Sequence, residues 1–248
     1  MHAIETKKLT KKFRSKTAVS ELDLTVEEGE LFALLGVNGA GKTTTIRMLS
    51  CLSKPTSGEC SVCGSDCVSQ SDEVKKIIGI SPQDTAVAGN LTVFENLKLI
   101  CGIYGYSHEK TADRINEITK LFNMNEVSDS LAKTLSGGWK RKLSIAMALI
   151  SDPKVLFLDE PTLGLDVLAR RELWKVVQSL KGRITIVLTT HYMEEAEQLS
   201  DRIAIMIDGN AAALGTLSEL EQQSGETGLE NVFVKIAGDF GKGAVSYE

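Results

Sequence analysis

The sequence contains no long hydrophobic run. A membrane-spanning helix needs about 20 consecutive apolar residues, and the 248 residues include no such stretch. The first residues, MHAIETKKLTKKF, carry cations but no apolar segment behind them, so we expect no signal peptide. These absences predict a protein that stays on the side of the membrane where it is made.

An excess of positive charge is also absent. The net charge is -5 at pH 7, which provides no general attraction to nucleic acid or to an anionic membrane surface. Lys140, Arg141 and Lys142 form a local cluster, which we interpret as a solvated helix face. The 42% hydrophobic and 25% charged residues are typical of a soluble globular chain, and the length suits one large α/β domain, or a domain with a modest insert. We expect no nucleic-acid partner.

The five cysteines lack the partners of a convincing metal site. Cys60, Cys63 and Cys67 are spaced C-x2-C-x3-C, but no histidine or second CxxC pair offers a fourth ligand. The segment GECSVCGSDC instead alternates like a short hairpin around Gly64, with thiols at inward positions. A zinc or iron–sulfur site remains the alternative to this prediction of free thiols.

Continuous apolar runs bounded by turn residues predict buried strands. They are GELFALLG, KKIIGISPQ, KVLFLDEP and ITIVLTTH. The segment DVLARRELWKVVQSLKG predicts a helix, with Asp166 as its N-cap and Gly182 at its C-terminal end. Asp208-Gly209 predicts the turn of a hairpin.

Residues 84–135 have a different character, with helical stripes and polar faces. Two stripes are predicted, Val93, Leu97, Ile100 and Tyr104, and then Ile115, Ile118, Leu121 and Phe122. We therefore predict a core from residues 1–83 and 136–224, a helical insert at 84–135, and a tail at 225–248. The tail segment LENVFVKIAG predicts a last strand or a short helix.

The segment GVNGAGKT fits the pattern G-x-x-x-x-G-K-[ST], which predicts a phosphate-binding loop. Backbone N–H groups must approach phosphate oxygens closely, so a Cβ at the tightest positions would clash. A lysine supplies charge to the β- and γ-phosphates, and a hydroxyl can bind Mg²⁺. The candidate nucleotide-binding residues are Gly36, Val37, Asn38, Gly39, Ala40, Gly41, Lys42, Thr43 and Thr44. The alternative is a tight turn without a ligand.

The segment VLFLDE delivers two carboxylates at the end of a predicted buried strand. Asp159 is the candidate Mg²⁺ ligand, together with Thr43. Glu160 is the candidate general base, which would polarise the attacking water. The alternative is that Asp159, Glu160 and Pro161 only end the strand.

Further motifs lie around these two. LSGGW (Leu135–Trp139) precedes Asp159, Gln83 precedes the predicted insert, and His191 follows the last buried strand. In this order the motifs closely resemble the nucleotide-binding subunits of ABC transporters, over nearly the whole chain. The resemblance implies a P-loop NTPase core with a mainly parallel sheet, an antiparallel β subdomain and a helical insert. It also implies ATP and Mg²⁺ as cofactors, and ATP hydrolysis coupled to transport.

The resemblance assigns roles to the remaining candidate residues. Ser136, Gly137 and Gly138 would bind the γ-phosphate of ATP held by a second nucleotide-binding subunit, identical or different. Gln83 would reach Mg²⁺ and the attacking water, and His191 would hold Glu160 and the γ-phosphate. Gly164, Leu165 and Asp166 resemble a loop that crosses the dimer interface.

Phe13 resembles the aromatic residue that stacks on adenine, with a core aromatic as the alternative. Phenylalanine at this position, where tyrosine is common, should keep the stacking.

The resemblance also implies a transmembrane permease that docks near Gln83 and the helical insert, and a location on the cytoplasmic face of the membrane. The segments LSGGWKRKLSIAMALI and TTHYMEEAEQLSDRIAIM look most like the exporter branch for drugs, antibiotics and lipids. An import-type ATPase, a non-transport ATPase and a binding-only subunit stay open as alternatives. Trp139 departs from the signature, which usually has glutamine there, so an amide hydrogen bond is lost and an indole must be accommodated.

Overall fold

The computed structural model describes residues 2–244, and their side chains through residue 240. The described residues form two compact units. The first unit comprises the chain up to Lys75 and from Lys181 onward, and the second comprises Lys76–Leu180. The predicted division at 83, 135 and 224 stays a prediction. No helix among the described residues is long and apolar enough to cross a membrane.

Strands and helices are interspersed along the chain. In chain order they are β1 (His2–Phe13), β2 (Lys16–Glu27), β3 (Leu31–Leu35), α1 (Lys42–Leu49), β4 (Ser57–Val62), β5 (Ser65–Asp66), α2 (Ser71–Ile77), β6 (Ile78–Ser81), α3 (Val93–Ile103), α4 (His108–Leu121), α5 (Gly137–Leu149), β7 (Val155–Asp159), α6 (Val167–Leu180), β8 (Thr185–Thr190), α7 (Met193–Leu199), β9 (Arg202–Ile207), β10 (Asn210–Gly215), α8 (Leu217–Ser224) and α9 (Leu229–Ala244). Short 3-10 helices lie at Asn125–Val127 and Ala132–Thr134.

In the first unit, β3 lies between β8 and β9 and runs parallel to both. All five residues of β3 and all six of β8 are buried, as the continuous apolar runs predict. The strands β9 and β10 form the predicted hairpin, with Asp208 and Gly209 both at positive φ as a tight turn requires. The α/β fold with a mainly parallel arrangement is therefore confirmed.

The first unit also holds an antiparallel sheet with strand order β2-β1-β4-β5. The strands β4 and β5 form the predicted hairpin, in which Cys60 and Cys67 are buried. The hydrogen bond with Cys60, followed by burial, raises the pKa of the Cys67 thiol. All five cysteines are free thiols. Among the described residues, no group of three or more His, Cys, Asp or Glu side chains could hold a metal ion.

In the second unit, β6 and β7 run parallel. The helices α3 and α4 follow β6, and their predicted apolar stripes are buried at Val93, Leu97, Ile115 and Ile118. The first stripe ends earlier than predicted, because Tyr104 is exposed. Asp166 caps α6 as predicted, because its Oδ1 accepts hydrogen bonds from the backbone N–H groups of Leu168 and Ala169, both at 2.9 Å.

One local prediction needs correction, and one of two alternatives is decided. The run KKIIGISPQ is not all strand, because Lys75, Lys76 and Ile77 belong to helix α2. Of the two structures predicted for the tail segment, the helix is confirmed: α9 has 16 residues, and its buried Leu229, Val232 and Phe233 follow helical spacing.

Candidate functional site

The phosphate loop runs from the end of β3 into the first turn of α1, as the motif requires. Val37, Asn38 and Gly39 are exposed at its tip, whereas Ala40, Gly41 and Lys42 are buried. The Lys42 ammonium lies at the centre of the loop and donates hydrogen bonds to the carbonyl oxygens of Gly36 at 2.7 Å and Val37 at 3.2 Å. Thr43 and Thr44 follow, half-buried, at the helix N-terminus, where N–H groups favour an anion.

Two glycines of the loop are required by close backbone contacts. A Cβ on Gly36 would lie 2.5 Å from the carbonyl oxygen of Met206. A Cβ on Gly41, which has φ of 102°, would lie 2.4 Å from the carbonyl oxygen of Ala18. These contacts press the loop against neighbouring backbone, so the motif's glycines also serve the packing of the first unit.

We expect the Gly41→Ala variant to unfold more easily than the Gly39→Ala variant. Both positions have positive φ, but a Cβ on Gly39 would have no atom within 4 Å. Strain alone should cost Gly39→Ala about 1 kcal/mol of unfolding free energy, and the added clash should cost Gly41→Ala about 3 kcal/mol. Thermal unfolding of the nucleotide-free proteins measures both. Equal melting temperatures for the two variants would contradict the contact with Ala18.

His191 starts from the same edge of the sheet as the phosphate loop. Leu35 of β3 pairs with Thr190 of β8, and the Gly36 N–H donates to the Thr190 carbonyl at 3.2 Å. His191 is the next residue, half-buried, and its ring packs on that of Tyr192 with centroids 4.1 Å apart. Parallel strands that end together are a common way to collect ligand-binding residues.

Phe13 lies at the tip of the β1–β2 hairpin and is 52% exposed. This exposure excludes the alternative that it is a core aromatic. The Lys11 ammonium lies 5.1 Å from the ring centroid, so the ring already takes part in a cation–π contact. An exposed ring is available for stacking on a base, and its role in binding adenine stays a prediction.

The second unit collects the other candidate residues at one edge of β6 and β7. Ser81 pairs with Leu158, so Gln83 and the two carboxylates, Asp159 and Glu160, leave neighbouring strands at the same end. Gln83 is exposed, whereas Asp159 and Glu160 are 5% and 7% exposed.

Glu160 has a φ of 47°, a left-handed conformation that costs free energy in a non-glycine residue. Such strain concentrates at functional sites. The role of Glu160 as general base stays a prediction, and so does the alternative that the carboxylates only end the strand.

Ser136 is the N-cap of the 13-residue helix α5. Its Oγ accepts a hydrogen bond from the Trp139 N–H at 3.4 Å. Ser136 and Gly137 are exposed, and Gly138 is half-buried against Ala169: a Cβ added to Gly138 would lie 3.3 Å from the Cβ of Ala169. The first N–H groups of α5 therefore open onto the surface, where the helix dipole favours a bound anion.

The prediction that Lys140, Arg141 and Lys142 form a solvated face is wrong for two of the three residues. Arg141 and Lys142 are only 5% and 7% exposed. Arg141 donates to the backbone carbonyls of Pro82 and Gln83. These acceptors lie nearly 60 positions away in the chain, so no local pattern could have indicated them.

Trp139 is accommodated by a cation at its ring. The Lys142 ammonium lies 4.5 Å from the ring centroid of Trp139 and forms an ion pair with Glu172 of α6 at 2.7 Å. The half-buried indole is thus supported by a cation–π contact where the family usually has an amide. Helix α5 tolerates this departure without losing the Ser136 cap.

Comparison with known proteins identifies the family. The family model described as "ABC transporter" matches residues 19–163. This range includes the phosphate loop, Gln83, the Ser136 segment and both carboxylates; Phe13 and His191 lie outside it. The daunorubicin/doxorubicin resistance ATP-binding protein DrrA of Streptomyces peucetius is 42% identical over 92% of this chain and 69% of its own length.

Two longer relatives match as well. The phospholipid-transporting ATPase ABCA3 of Homo sapiens is 42% identical over 90% of this chain, and the probable multidrug ABC transporter ATP-binding protein YbhF of Escherichia coli is 38% identical over 96%. The chain spans only 13% of ABCA3 and 42% of YbhF.

Solved structures agree with these relatives. The ATP-binding subunit of an ABC transporter superposes with a TM-score of 0.85 at 29% identity, over 94% of this chain and 99% of that one. The ATP-binding cassette MJ0796, in a dimeric post-hydrolysis state with ADP and Pi, has a TM-score of 0.78 at 28% identity, over 86% of this chain and 98% of that one. The P-loop NTPase fold is confirmed, and the chain belongs to the ABC transporter family as an ATP-binding, ATP-hydrolysing protein.

Proposed function

We propose that two nucleotide-binding subunits enclose ATP between them and drive an export permease. The observation that carries the proposal is the exposed N-terminus of α5 at Ser136 and Gly137. A helix mouth that offers N–H groups is suited to bind a phosphate. If the phosphate belongs to ATP on a second subunit, neither chain contains a complete catalytic centre.

The donor set fits ATP with Mg²⁺. The Thr43 hydroxyl, the Asp159 carboxylate and the Gln83 amide oxygen are hard oxygen ligands of the kind Mg²⁺ prefers. When bound, Mg²⁺ would neutralise negative charge on the β- and γ-phosphates. Lys42 binds the same phosphates through its ammonium, and Phe13 stacks on the base. Stacking does not distinguish one base from another.

Hydrolysis requires a water molecule in line with the γ-phosphorus. Glu160 accepts the proton of this water as general base. His191 orients Glu160 and contacts the γ-phosphate, while Gln83 orients the water. The removal of the γ-phosphate ends the contacts of the closed dimer, because those contacts exist only while ATP is present.

Exposed apolar side chains support a second subunit as a partner. In the first unit, Val37 at the tip of the phosphate loop is 55% exposed. In the second unit, Val167 and Leu168 are 61% and 75% exposed, directly after the loop at Gly164–Asp166. Apolar surface next to functional loops is typical of an interaction surface.

A further apolar patch supports a permease as a partner. Helix α3 exposes the apolar side chains of Leu99 and Ile103, which are four residues apart and therefore lie on one face of the helix, with Ile103 70% exposed. We name these two residues the α3 patch. The helix begins ten residues after Gln83, so a permease segment on this patch would lie near Gln83 in the same unit. Docking there would hold the subunit at the cytoplasmic face of the membrane.

We expect the paired substitution Leu99→Glu and Ile103→Glu to release the chain from its permease. Two buried carboxylates would be costly in an apolar interface, whereas ATP hydrolysis by the isolated chain should change less than about twofold, because both residues are exposed. Co-purification with a candidate permease, which a search of the neighbouring reading frames would identify, measures the association. Val234→Glu, on the exposed face of α9 in the first unit, is the matched control. Normal co-purification of the α3 double variant would contradict docking on this patch.

The names of two relatives, a drug-resistance ATP-binding protein and a probable multidrug ATP-binding protein, favour export over import. The co-purified complex allows a direct test, because an exporter's ATPase rate should rise with a transported drug or lipid. Stimulation by a separate solute-binding protein, with no response to drugs or lipids, would assign import instead.

A further inference from the structure

The buried side chain of Arg141 connects helix α5 to the residue that follows β6. Its Nη1 donates to the Pro82 carbonyl at 2.7 Å, and its Nη2 donates to the Gln83 carbonyl at 2.6 Å. The side chain is 5% exposed, so water competes little for these hydrogen bonds. Two charge-assisted bonds from one planar group fix both distance and orientation. We name this pair of hydrogen bonds the Arg141 clamp.

The clamp joins two functional segments of the second unit. Arg141 lies on the second turn of the helix that begins beside Ser136, and the clamped carbonyls belong to Gln83 and its neighbour. Helix α5 is also fixed to β6 by the buried hydrogen bond between the hydroxyls of Ser144 and Ser81, at 2.9 Å. These contacts connect the backbone at Gln83 to the helix that presents Ser136.

The segment after Gln83 is also fixed at its far end. Asn96 of α3 is completely buried, and its Oδ1 accepts from the Ala88 N–H at 2.8 Å. Its Nδ2 donates to the carbonyls of Ala88 and Thr92 at 3.1 and 2.8 Å. Residues 83–88 thus form a short segment of exposed and half-buried residues between two buried anchors, one on α5 and one on α3.

We propose that Arg141 is a positioning residue for ATP hydrolysis, which sets the location of Gln83 and couples it to the Ser136 helix. This inference rests on the proposed function for its kinetic consequences, because Gln83 must act on the water or the metal. Arg141 itself would touch neither the nucleotide nor the attacking water. Its proposed effect on Gln83 comes through the hydrogen bonds to the backbone carbonyls of Pro82 and Gln83.

The first test is the Arg141→Met variant, which keeps the length of the side chain and removes both hydrogen bonds. We expect kcat for ATP hydrolysis to fall about 10- to 100-fold, as for a small displacement of a reacting group. KM for ATP should stay within about threefold, because the variant leaves the phosphate loop of the first unit unchanged. Arg141→Lys, which can keep one bond, should recover part of kcat. The control Lys140→Met removes a neighbouring, half-buried cation and should leave both constants unchanged.

A double-mutant cycle separates positioning from general damage. Gln83→Ala removes the side chain that the clamp positions but keeps the clamped carbonyls. If Arg141 acts through Gln83, adding Arg141→Met to Gln83→Ala should lower kcat less than about twofold further. If the two losses multiply in full, Arg141 does not act through Gln83 and the inference is overturned.

Hydrogen exchange provides a readout that does not depend on catalysis. In Arg141→Met, amides of residues 83–88 should exchange roughly tenfold faster or more, while amides in the middle of α3 and α4 keep their wild-type rates. Unchanged exchange at residues 83–88 would overturn the clamp. If the wild-type protein hydrolyses no ATP, the proposed function fails, and this exchange result still decides whether Arg141 positions Gln83.

Discussion

Replacing Glu160 by glutamine should nearly abolish ATP turnover while ATP binding remains intact. Glutamine has the same shape but cannot accept the proton of the attacking water, so we expect kcat to fall by a factor of about 100 to 10,000. The bound ATP should then persist and favour a closed dimer. Steady-state turnover, calorimetric ATP binding and light scattering with MgATP measure the three effects.

The structure indicates that this substitution changes the chemistry of the side chain without changing its packing. Glu160 is 7% exposed and has left-handed backbone geometry, and glutamine preserves the side-chain volume that fills this position. The control is Glu197→Gln, the same chemical change on an exposed face of α7, which should leave turnover unaltered. Full hydrolysis by Glu160→Gln would exclude Glu160 as the general base.

The predictions that succeeded rest on short-range physics. The phosphate loop lies between a strand and a helix because its glycines, lysine and threonine act within eight residues. Asp166 caps α6 through N–H groups two and three residues away, and the turn at Asp208 and Gly209 is equally local. In each case the residues that form the motif are close together in the sequence, although Gly36 and Gly41 also contact the distant carbonyl groups of Met206 and Ala18.

The first strands escaped prediction because their pattern is interrupted. Strands β1 and β2 are 12 residues each, but their register shifts at several points, including between Thr6 and Leu9. Such irregularities break the alternation of inward and outward side chains that indicates a half-buried strand. Only the tertiary pairing with β2 and β4 makes β1 recognisable.

The prediction of a solvated face for the cations of α5 failed for a related reason. Three consecutive charges favour a solvated surface when only neighbours are considered. Arg141 is buried because backbone carbonyls after β6 compensate its charge, and Lys142 because Glu172 and Trp139 do. A buried charge needs such partners, and those partners are distant in sequence. The roles of the individual candidate residues stay predictions, since they depend on a nucleotide and a second subunit.

A mixture of two inactive variants should recover activity if each site is built from two chains. Ser136→Arg places a bulky cation at the positive end of α5 and should block the site that this helix completes. Lys42→Ala removes the ammonium at the centre of the phosphate loop and should block the site on its own chain. Each variant alone therefore has two defective sites per dimer, and we expect ATPase rates at least about 100-fold below wild type.

In a mixed dimer, the defects of the two variants combine in one site and leave the other site intact. The Lys42 loop of the Ser136→Arg chain faces the Ser136 helix of the Lys42→Ala chain, and both halves are unmutated. If the chains pair at random and the sites act independently, an equal mixture should reach about a quarter of the wild-type rate, because half the dimers are mixed and each has one of two sites. A mixture that stays inactive, although both variants are stable and form mixed dimers, would contradict a site built from two chains that act independently. Undiminished activity of a strictly monomeric wild-type protein at high dilution would lead to the same conclusion. The mixture thus tests whether Ser136 acts on the nucleotide of another chain, which no single substitution can do.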